Sequence, residues 1–250
     1  MTEEHFEAIV VSPHLDDAVL SCGGQIAERC AAGERVLVVT VAAGDEPRPP
    51  HTELAVMLHR AWKLPPPGVV AARRGEDRAA CARLGAAARH LGVPEAIYVR
   101  GPGDEPLYAE IDDLFVPARA DDTRGEEIQA SLATLPASDT LLVPLAVGGH
   151  VDHRLTRSAA EALGRPLVYY EDYPYAEDDE AVRAALGNGP WHSEVVEISS
   201  RAAVAKRLAA AAYVSQVEPL FKGRWRMKRN LARFAQRRGG ERIWRRGVDR

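Results

Sequence analysis

The sequence predicts an α/β fold in which a mainly parallel sheet is covered by helices on both faces. Apolar, β-branched segments alternate with segments of helical periodicity along most of the chain. Short connections between them favour parallel strands joined by crossover helices. The 250 residues, 46% of them hydrophobic, are enough to bury the core of such a sheet. We therefore expect a single domain over residues 1–250.

The predicted elements follow from periodicity and from residues that end helices. The first strand, Ala8–Ser12, leads into a helix, Asp17–Ala32, which Gly33 ends. The next strand, Arg35–Gly44, is rich in β-branched residues. Then we expect a helix at 52–63, an Ala-rich helix over Ala71–His90, a strand over Glu95–Gly101 and a surface loop to Arg124. The remaining pattern predicts a helix at 125–135, a strand over Asp139–Gly149, a helix at 152–164, a strand within 165–176, a short helix, a strand over Ser193–Ser199 and a helix over Arg201–Val214.

The C-terminal segment differs from the rest in composition. We expect a basic helical tail at about 216–250, in which Trp225, Phe234 and Trp244 lie among many arginines and lysines. Such a stripe could contact nucleic acid or an anionic surface. We favour the alternative, a terminal helix that packs its aromatic side chains on the body of the protein and leaves its arginines in water.

The cysteine content and the N-terminus both indicate a cytoplasmic protein. Cys22, Cys30 and Cys81 are odd in number and irregularly spaced, which argues against a disulfide framework and a CxxC zinc site. The N-terminus lacks the features of a signal peptide, and no segment approaches the roughly 18 apolar residues of a membrane span. The net charge of −4 does not indicate a nucleic-acid-binding protein.

Two polar clusters each follow a predicted strand. "PHLDD" and "GGHVDH" together contribute three histidines and three aspartates: His14, Asp16, Asp17, His150, Asp152 and His153. Because ligands of parallel sheets bind beyond the carboxyl ends of the strands, we expect the clusters to meet at one edge. Helix capping by the aspartates is the alternative for either cluster alone. Two clusters, each with a histidine, favour a metal site.

The spacing suggests which residues hold the metal. His14 leaves the strand tip, Asp17 lies in the first helical turn, and His153 comes from the second cluster. Three protein ligands and one open position are typical of catalytic Zn²⁺, although imidazole and carboxylate ligands also suit Fe²⁺.

The remaining members of the clusters fit the chemistry of hydrolysis. A bound metal lowers the pKa of its water and polarises a carbonyl oxygen. Asp16 is the candidate general base. A histidinium at His150 would stabilise the oxyanion and protonate the leaving amine, and Asp152 could orient an imidazole.

These motifs resemble those of the PIG-L/LmbE superfamily of zinc-dependent de-N-acetylases, which remove acetyl groups from N-acetylglucosamine conjugates. The similar segments are "PHLDD" followed by "GG", the later "HVDH", "RRGEDRAACARLG", "YYEDYPYA" and "AYVSQVEPLF". The resemblance implies a Rossmann-like, three-layer LmbE-like fold. It also implies the zinc ligands His14, Asp17 and His153, the general base Asp16, and His150 as transition-state stabiliser or acid with Asp152 as its partner.

Further residues are candidates for binding the substrate. Arg73 matches the arginine that contacts substrate in sugar-processing members of the superfamily, although an ion pair with Glu76 or Asp77 is an alternative. Glu171 and Asp172 follow a strand on the same edge and could bind sugar hydroxyls or cap a loop.

The expected function is metal-dependent hydrolysis of an N-acetyl group on a small amino-sugar conjugate. Gly148 departs from members that act on glucosaminyl-inositol conjugates, which carry a tyrosine two residues before the histidine that aligns with His150. The alternatives are an amidase acting on a thiol adduct or antibiotic intermediate, and a binding protein that acts through the basic tail. The segment Gly101–Arg124 and the tail are expected to shape the pocket and any contact in a homo-oligomer.

Overall fold

Seven strands form one sheet in the computed structural model, which describes residues 4–247. The strands are β1 (His5–Ser12), β2 (Val36–Ala42), β3 (Ala87–Val93), β4 (Ala137–Pro144), β5 (Val168–Tyr170), β6 (Trp191–Val196) and β7 (Glu241–Arg246). The helices are α1 (Asp17–Ala31), α2 (Glu53–Trp62), α3 (Val69–Leu84), α4 (Arg124–Ala133), α5 (Val151–Glu161), α6 (Asp179–Leu186), α7 (Ser200–Ala210), α8 (Val214–Phe221) and α9 (Arg224–Arg238). Between residues 4 and 247, no helix is both long and apolar enough to cross a membrane.

The sheet is mainly parallel and has an apolar core on each face, so the predicted fold class is confirmed. The strand order is β3-β2-β1-β4-β5-β7-β6, and only the pairs made by β7 are antiparallel. Along β1, Ala8 and Val10 belong to one core with residues of α1, α3 and α7. Ile9 and Val11 belong to the other, with residues of α4, α5, α8 and α9. Burial on both faces explains why residues 8–11 of β1 are all apolar rather than alternating.

The topology places the two polar clusters next to each other. Strand β1 pairs in parallel with β2 on one side and with β4 on the other. The chain therefore changes direction across the sheet at β1 and β4, and such a point forms a crevice beyond the strand ends. The loops after β1 and β4 carry the polar clusters, which meet there.

The region after α2 differs from the prediction. The helix predicted over Ala71–His90 ends at Leu84, because Gly85 adopts φ +84° and its N–H bonds back to the carbonyl of Ala82. The next residues form the edge strand β3, which pairs with β2. Most side chains of β3 are half-exposed, so this segment lacks the apolar run that indicates a buried strand. The strand predicted over Glu95–Gly101 is wrong, since Ala96–Tyr98 is a 3₁₀ turn.

The basic tail is only partly helical. Helix α9 buries Met227, Leu231 and Phe234 against the body, whereas Trp225 is 70% exposed. Residues 241–246 form β7 between β5 and β6, so the prediction of a wholly helical tail is wrong there. The last three residues of the predicted tail, 248–250, lie outside the described part of the chain. The tail thus supplies an internal strand of the sheet.

The buried carboxylate of Glu241 connects β7 to α1 and forms an ion pair with Lys206 of α7. Helix α1 is kinked at Cys22, and the freed N–H groups of Gly24 and Gln25 donate to the two carboxylate oxygens of Glu241 at 2.9 and 2.8 Å. Lys206 Nζ lies 2.7 Å from Glu241 and also donates to the carbonyl of Ser21. A Cβ on Gly24 would lie 2.7 Å from Glu241 Oε1, so only glycine allows this approach.

We expect Glu241→Ala to lower the free energy of unfolding by about 3–5 kcal/mol, because Lys206 would remain buried without its carboxylate. Glu194→Ala is the matched control. Glu194 lies on β6 and pairs with Arg245 at the exposed surface, where such a pair contributes about 1 kcal/mol or less. Urea denaturation measures both variants, and equal losses would contradict the structural role of Glu241.

Candidate metal centre

Three histidines converge beyond β1 and β4: His14 from the loop after β1, His150 at the start of α5, and His153 in the first turn of α5. The ring centroid of His14 lies 4.8 Å from that of His150 and 5.1 Å from that of His153. Ligand nitrogens of all three lie within 4.8 Å of one another. The two sequence clusters therefore form one site.

Asp17 lies between two of these imidazoles. Its Oδ2 is 3.2 Å from His14 Nδ1 and 3.3 Å from His153 Nε2, and it accepts the backbone N–H of His14. Ligand atoms held at about 2.0–2.1 Å around a tetrahedral metal lie about 3.3–3.4 Å apart. The two distances from Asp17 Oδ2 therefore fit two edges of a metal-binding tetrahedron.

The other nitrogen of each of these two imidazoles is held by a carboxylate. His14 Nε2 lies 2.9 Å from Asp152 Oδ2, and His153 Nδ1 lies 2.7 Å from Asp172 Oδ1. Metal-binding histidines typically make such a bond, which orients the ring and raises its basicity. The donor set, its spacing and its outer carboxylates fit a divalent metal ion held by His14, Asp17 and His153.

The charges around the site attract a cation. Burial disfavours a charged imidazole, yet Asp152 and Asp17 raise the pKa of His14 well above its ordinary value. Burial acts in the same way on His153, but Asp17 and Asp172 raise its pKa to about 9. Burial would raise the pKa of Asp17, but His153 and His14 hold it well below its usual range. Binding of a divalent cation would displace the protons on the imidazoles.

Asp152 contacts His14 rather than the side chain expected from the sequence. Its two oxygens accept from His14, from the backbone N–H of Ala96 and from Arg124, whose Nη1 is 2.5 Å away. Only its backbone N–H reaches His150 Nδ1, at 3.2 Å. The expectation that the Asp152 carboxylate orients His150 is therefore wrong.

The same backbone bond determines how His150 can act. Because Nδ1 accepts a hydrogen bond, the proton of the neutral ring lies on Nε2, which leaves neither nitrogen free to bind a metal. This favours Asp17 over His150 as the third ligand. Burial, followed by the charge of His14, lowers the pKa of His150 to about 3. The low pKa favours a neutral ring that donates through Nε2, which argues against the histidinium expected from the sequence.

Asp16 offers a carboxylate with no hydrogen-bond partner among residues 4–247. It precedes α1 but makes no capping bond to that helix, so the capping alternative is not supported. Its side chain is buried beside Asp17. Burial, and then the charge of Asp17, raise its pKa to about 7, while Arg73 opposes the shift. A cation bound at Asp17 would favour the ionised form, which a general base needs.

The three residues predicted to bind substrate have different environments. Arg73 is buried, pairs with Glu95 at 2.7 Å and lies over the ring of Trp62, so the alternative of an ion pair with Glu76 or Asp77 is not supported. The carboxylate of Asp172 is fully buried. It forms a hydrogen bond with His153 and accepts another from the N–H of Val147. Its contacts support positioning of the histidine rather than sugar binding.

Glu171 lies in the ion-pair network of the tail, outside the cluster of histidines. It contacts Arg238 at 3.2 Å and Arg242 at 2.5 Å, and it accepts from the indole of Trp244. These contacts favour a structural role for Glu171 over sugar binding.

Several residues at the site could not be identified from sequence patterns. Arg124 holds Asp152, and Glu95 holds Arg73. Phe115 and Tyr175 add aromatic rings beside His150 and His153. These four residues come from segments without a metal-binding or catalytic spacing, and only the folded chain brings them to the site.

Comparison with known proteins identifies similar deacetylases. A family model described as GlcNAc-PI de-N-acetylase (PIG-L) matches residues 9–163. The chain is 39% identical over 212 residues to 2'-N-acetylparomamine deacetylase of Streptomyces fradiae, a match that covers 76% of this chain and 67% of the relative. The zinc-inhibited form of teicoplanin deacetylase superposes with a TM-score of 0.80 at 28% identity, covering 99% of this chain and 100% of that chain. The A40926 pseudoaglycone deacetylase superposes with a TM-score of 0.72 at 30% identity, covering 98% and 100%.

We expect Asp172→Asn to lower the affinity for a divalent metal about 10- to 100-fold, because the amide no longer supports the basicity of His153. Glu171→Gln, the adjacent control, should leave metal affinity unchanged, because Glu171 contacts only the tail. Titration of the metal-free protein with Zn²⁺ measures both affinities. Unchanged binding by Asp172→Asn would contradict the assigned arrangement.

Proposed function

Because the chain belongs to the PIG-L family of GlcNAc-PI de-N-acetylases, we propose that it hydrolyses the N-acetyl group of an amino-sugar conjugate in a metal-dependent reaction. The observation that carries this proposal is the placement of Asp17 Oδ2 between His14 and His153. The preceding residue, Asp16, offers a carboxylate with no hydrogen-bond partner among residues 4–247. The relatives named above are deacetylases of acetylated antibiotics and their precursors, which supports a substrate of that class.

We propose Zn²⁺ as the metal, held by His14, Asp17 and His153, with Fe²⁺ as the alternative that the same ligands suit. When bound, the ion activates water and polarises the amide carbonyl. A zinc-inhibited form of a similar deacetylase supports a metal-responsive site of this kind.

The surrounding residues supply the remaining chemistry. Asp16 accepts the proton of the attacking water, since its carboxylate is free and beside the ligands. The Nε2–H of His150 donates to the oxygen of the amide as negative charge develops on it. Arg73 contributes positive charge beside Asp16, and we retain it as a candidate for contact with the sugar. The free thiols of Cys22, Cys30 and Cys81 support a cytoplasmic location.

A substrate panel separates this function from the amidase alternative. N-acetylglucosamine, 2'-N-acetylparomamine and teicoplanin are incubated with the metal-loaded protein, and the released acetate or acyl group is measured. Release of acetate from an N-acetylated amino sugar supports the proposal. Cleavage of teicoplanin alone, with N-acetylglucosamine and 2'-N-acetylparomamine left untouched, would favour the amidase acting on a larger conjugate. No release from any substrate would contradict the proposed function.

We expect Asp16→Asn to lower kcat about 10²- to 10⁴-fold, because the amide cannot accept the proton of water. The metal content should stay at the wild-type level, since Asp17 is unchanged. Asp139→Asn is the control: this exposed carboxylate lies on β4, at the end of the strand opposite to the site. Full activity of Asp16→Asn would exclude Asp16 as the base.

We expect His150→Ala to lower kcat about 10²- to 10³-fold through loss of a donor to the oxyanion. His150→Gln should retain more activity than His150→Ala, because a neutral amide can also donate. Both variants should keep the wild-type metal content. Metal loss comparable to that of His14→Ala would instead identify His150 as a ligand.

A further inference from the structure

Tyr175 lies at the site without a role in the chemistry described so far. It begins a short 3₁₀ turn, Tyr175–Glu177, that follows β5. Its ring lies edge-on to the ring of His153, with centroids 5.9 Å apart, and 6.0 Å from the ring of Phe115. The residue therefore forms part of the wall around the metal centre.

The ring of Tyr175 can occupy this position because residue 148 is a glycine. A Cβ built on Gly148 would lie 2.6 Å from Cγ and Cδ1 of Tyr175, so no other residue fits there while the ring keeps its place. Gly148 also has φ +82°, which favours glycine. The departure at Gly148 noted in the sequence thus makes room for an aromatic ring from a different part of the chain.

The hydroxyl of Tyr175 has no protein partner among residues 4–247, unlike most of the seven tyrosines of the chain. Five of the others bond to protein groups: Tyr98 to His59, Tyr108 to Asp122, Tyr169 to Glu161, Tyr170 to the carbonyl of Val11 and Tyr213 to Asp77. The Tyr175 hydroxyl is accessible to solvent, so it can donate to a bound ligand.

The surroundings of this hydroxyl belong to the metal centre. A phenol has an ordinary pKa of about 10, so Tyr175 keeps its proton at neutral pH. Phe115 contacts both Tyr175 and His150, at centroid distances of 6.0 and 5.4 Å. The rings of Tyr175 and His150 therefore both lie next to Phe115 and His153, beside the metal centre.

We propose that Tyr175 is a further catalytic residue, whose hydroxyl donates a hydrogen bond to the acetamide carbonyl oxygen of the bound substrate. This inference rests on the proposed function, because that reaction brings an acetamide to the metal centre. The carbonyl accepts from Tyr175 on one side and from His150 on the other. The bond strengthens as negative charge develops on the oxygen, so it acts on kcat more than on KM.

Tyr175→Phe tests the proposal, because it keeps the ring against Gly148 and removes only the hydroxyl. We expect kcat on the best substrate of the panel to fall at least about 10-fold, with KM changed less than about threefold. Metal content and Tm should match the wild type. Tyr169→Phe is the matched control, since its hydroxyl bonds to Glu161 away from the histidine cluster, and its kcat should stay at the wild-type value.

The outcomes separate this inference from the proposed function. If the wild type releases acetate and Tyr175→Phe is equally active, Tyr175 is not catalytic and the proposed function stands. A rise in KM with unchanged kcat, or a loss of kcat that accompanies loss of metal or a lower Tm, would also overturn the role at the carbonyl. If the wild type releases no acetate from any member of the panel, the proposed function fails and this inference fails with it.

Discussion

The metal centre depends on β1 and β4 lying side by side as parallel strands. Residues 8–10 of β1 pair in register with residues 140–142 of β4, so the strands end together and the loops beyond them face each other. His14 and Asp17 are brought to His153 by this pairing, across more than 130 residues of sequence. A slip of two residues in this register would move the loops about 6–7 Å apart and separate ligand atoms that now lie 3.3 Å apart.

Burial of like charges imposes the second constraint. Four carboxylates lie within this crevice, and each is at most 6% exposed: Asp16, Asp17, Asp152 and Asp172. Buried charges are costly unless they are paired. Arg124 and Arg73 supply fixed positive charge at the margins, and His14 and His153 supply the rest only by holding protons. A bound divalent cation would supply this compensating positive charge at the centre of the site. Metal binding would therefore stabilise the folded protein.

The sequence predicted those parts of the structure that local pattern determines. Residues 8–11 of β1 form a continuous apolar run that is followed by polar residues, so both the strand and the cluster after it were evident. β3 was not predicted because it is a half-exposed edge strand that begins directly after Gly85. β7 was not predicted because its arginines interrupt the apolar pattern around the buried Ile243. Tyr175 and Arg124 could not be predicted as neighbours of the site, since their contacts depend on how separate loops pack.

The neutral state of His150 changes which group protonates the leaving amine. Its Nδ1 accepts the N–H of Asp152, and burial lowers its pKa to about 3, so the ring has no extra proton to give. Asp16 is the remaining candidate. In the proposed reaction it receives one proton from the attacking water, and the ionised form that a bound cation favours is the form that accepts this proton. The same proton can then pass to the amine nitrogen as the C–N bond breaks, giving acetate and the free amine and returning Asp16 to its ionised form.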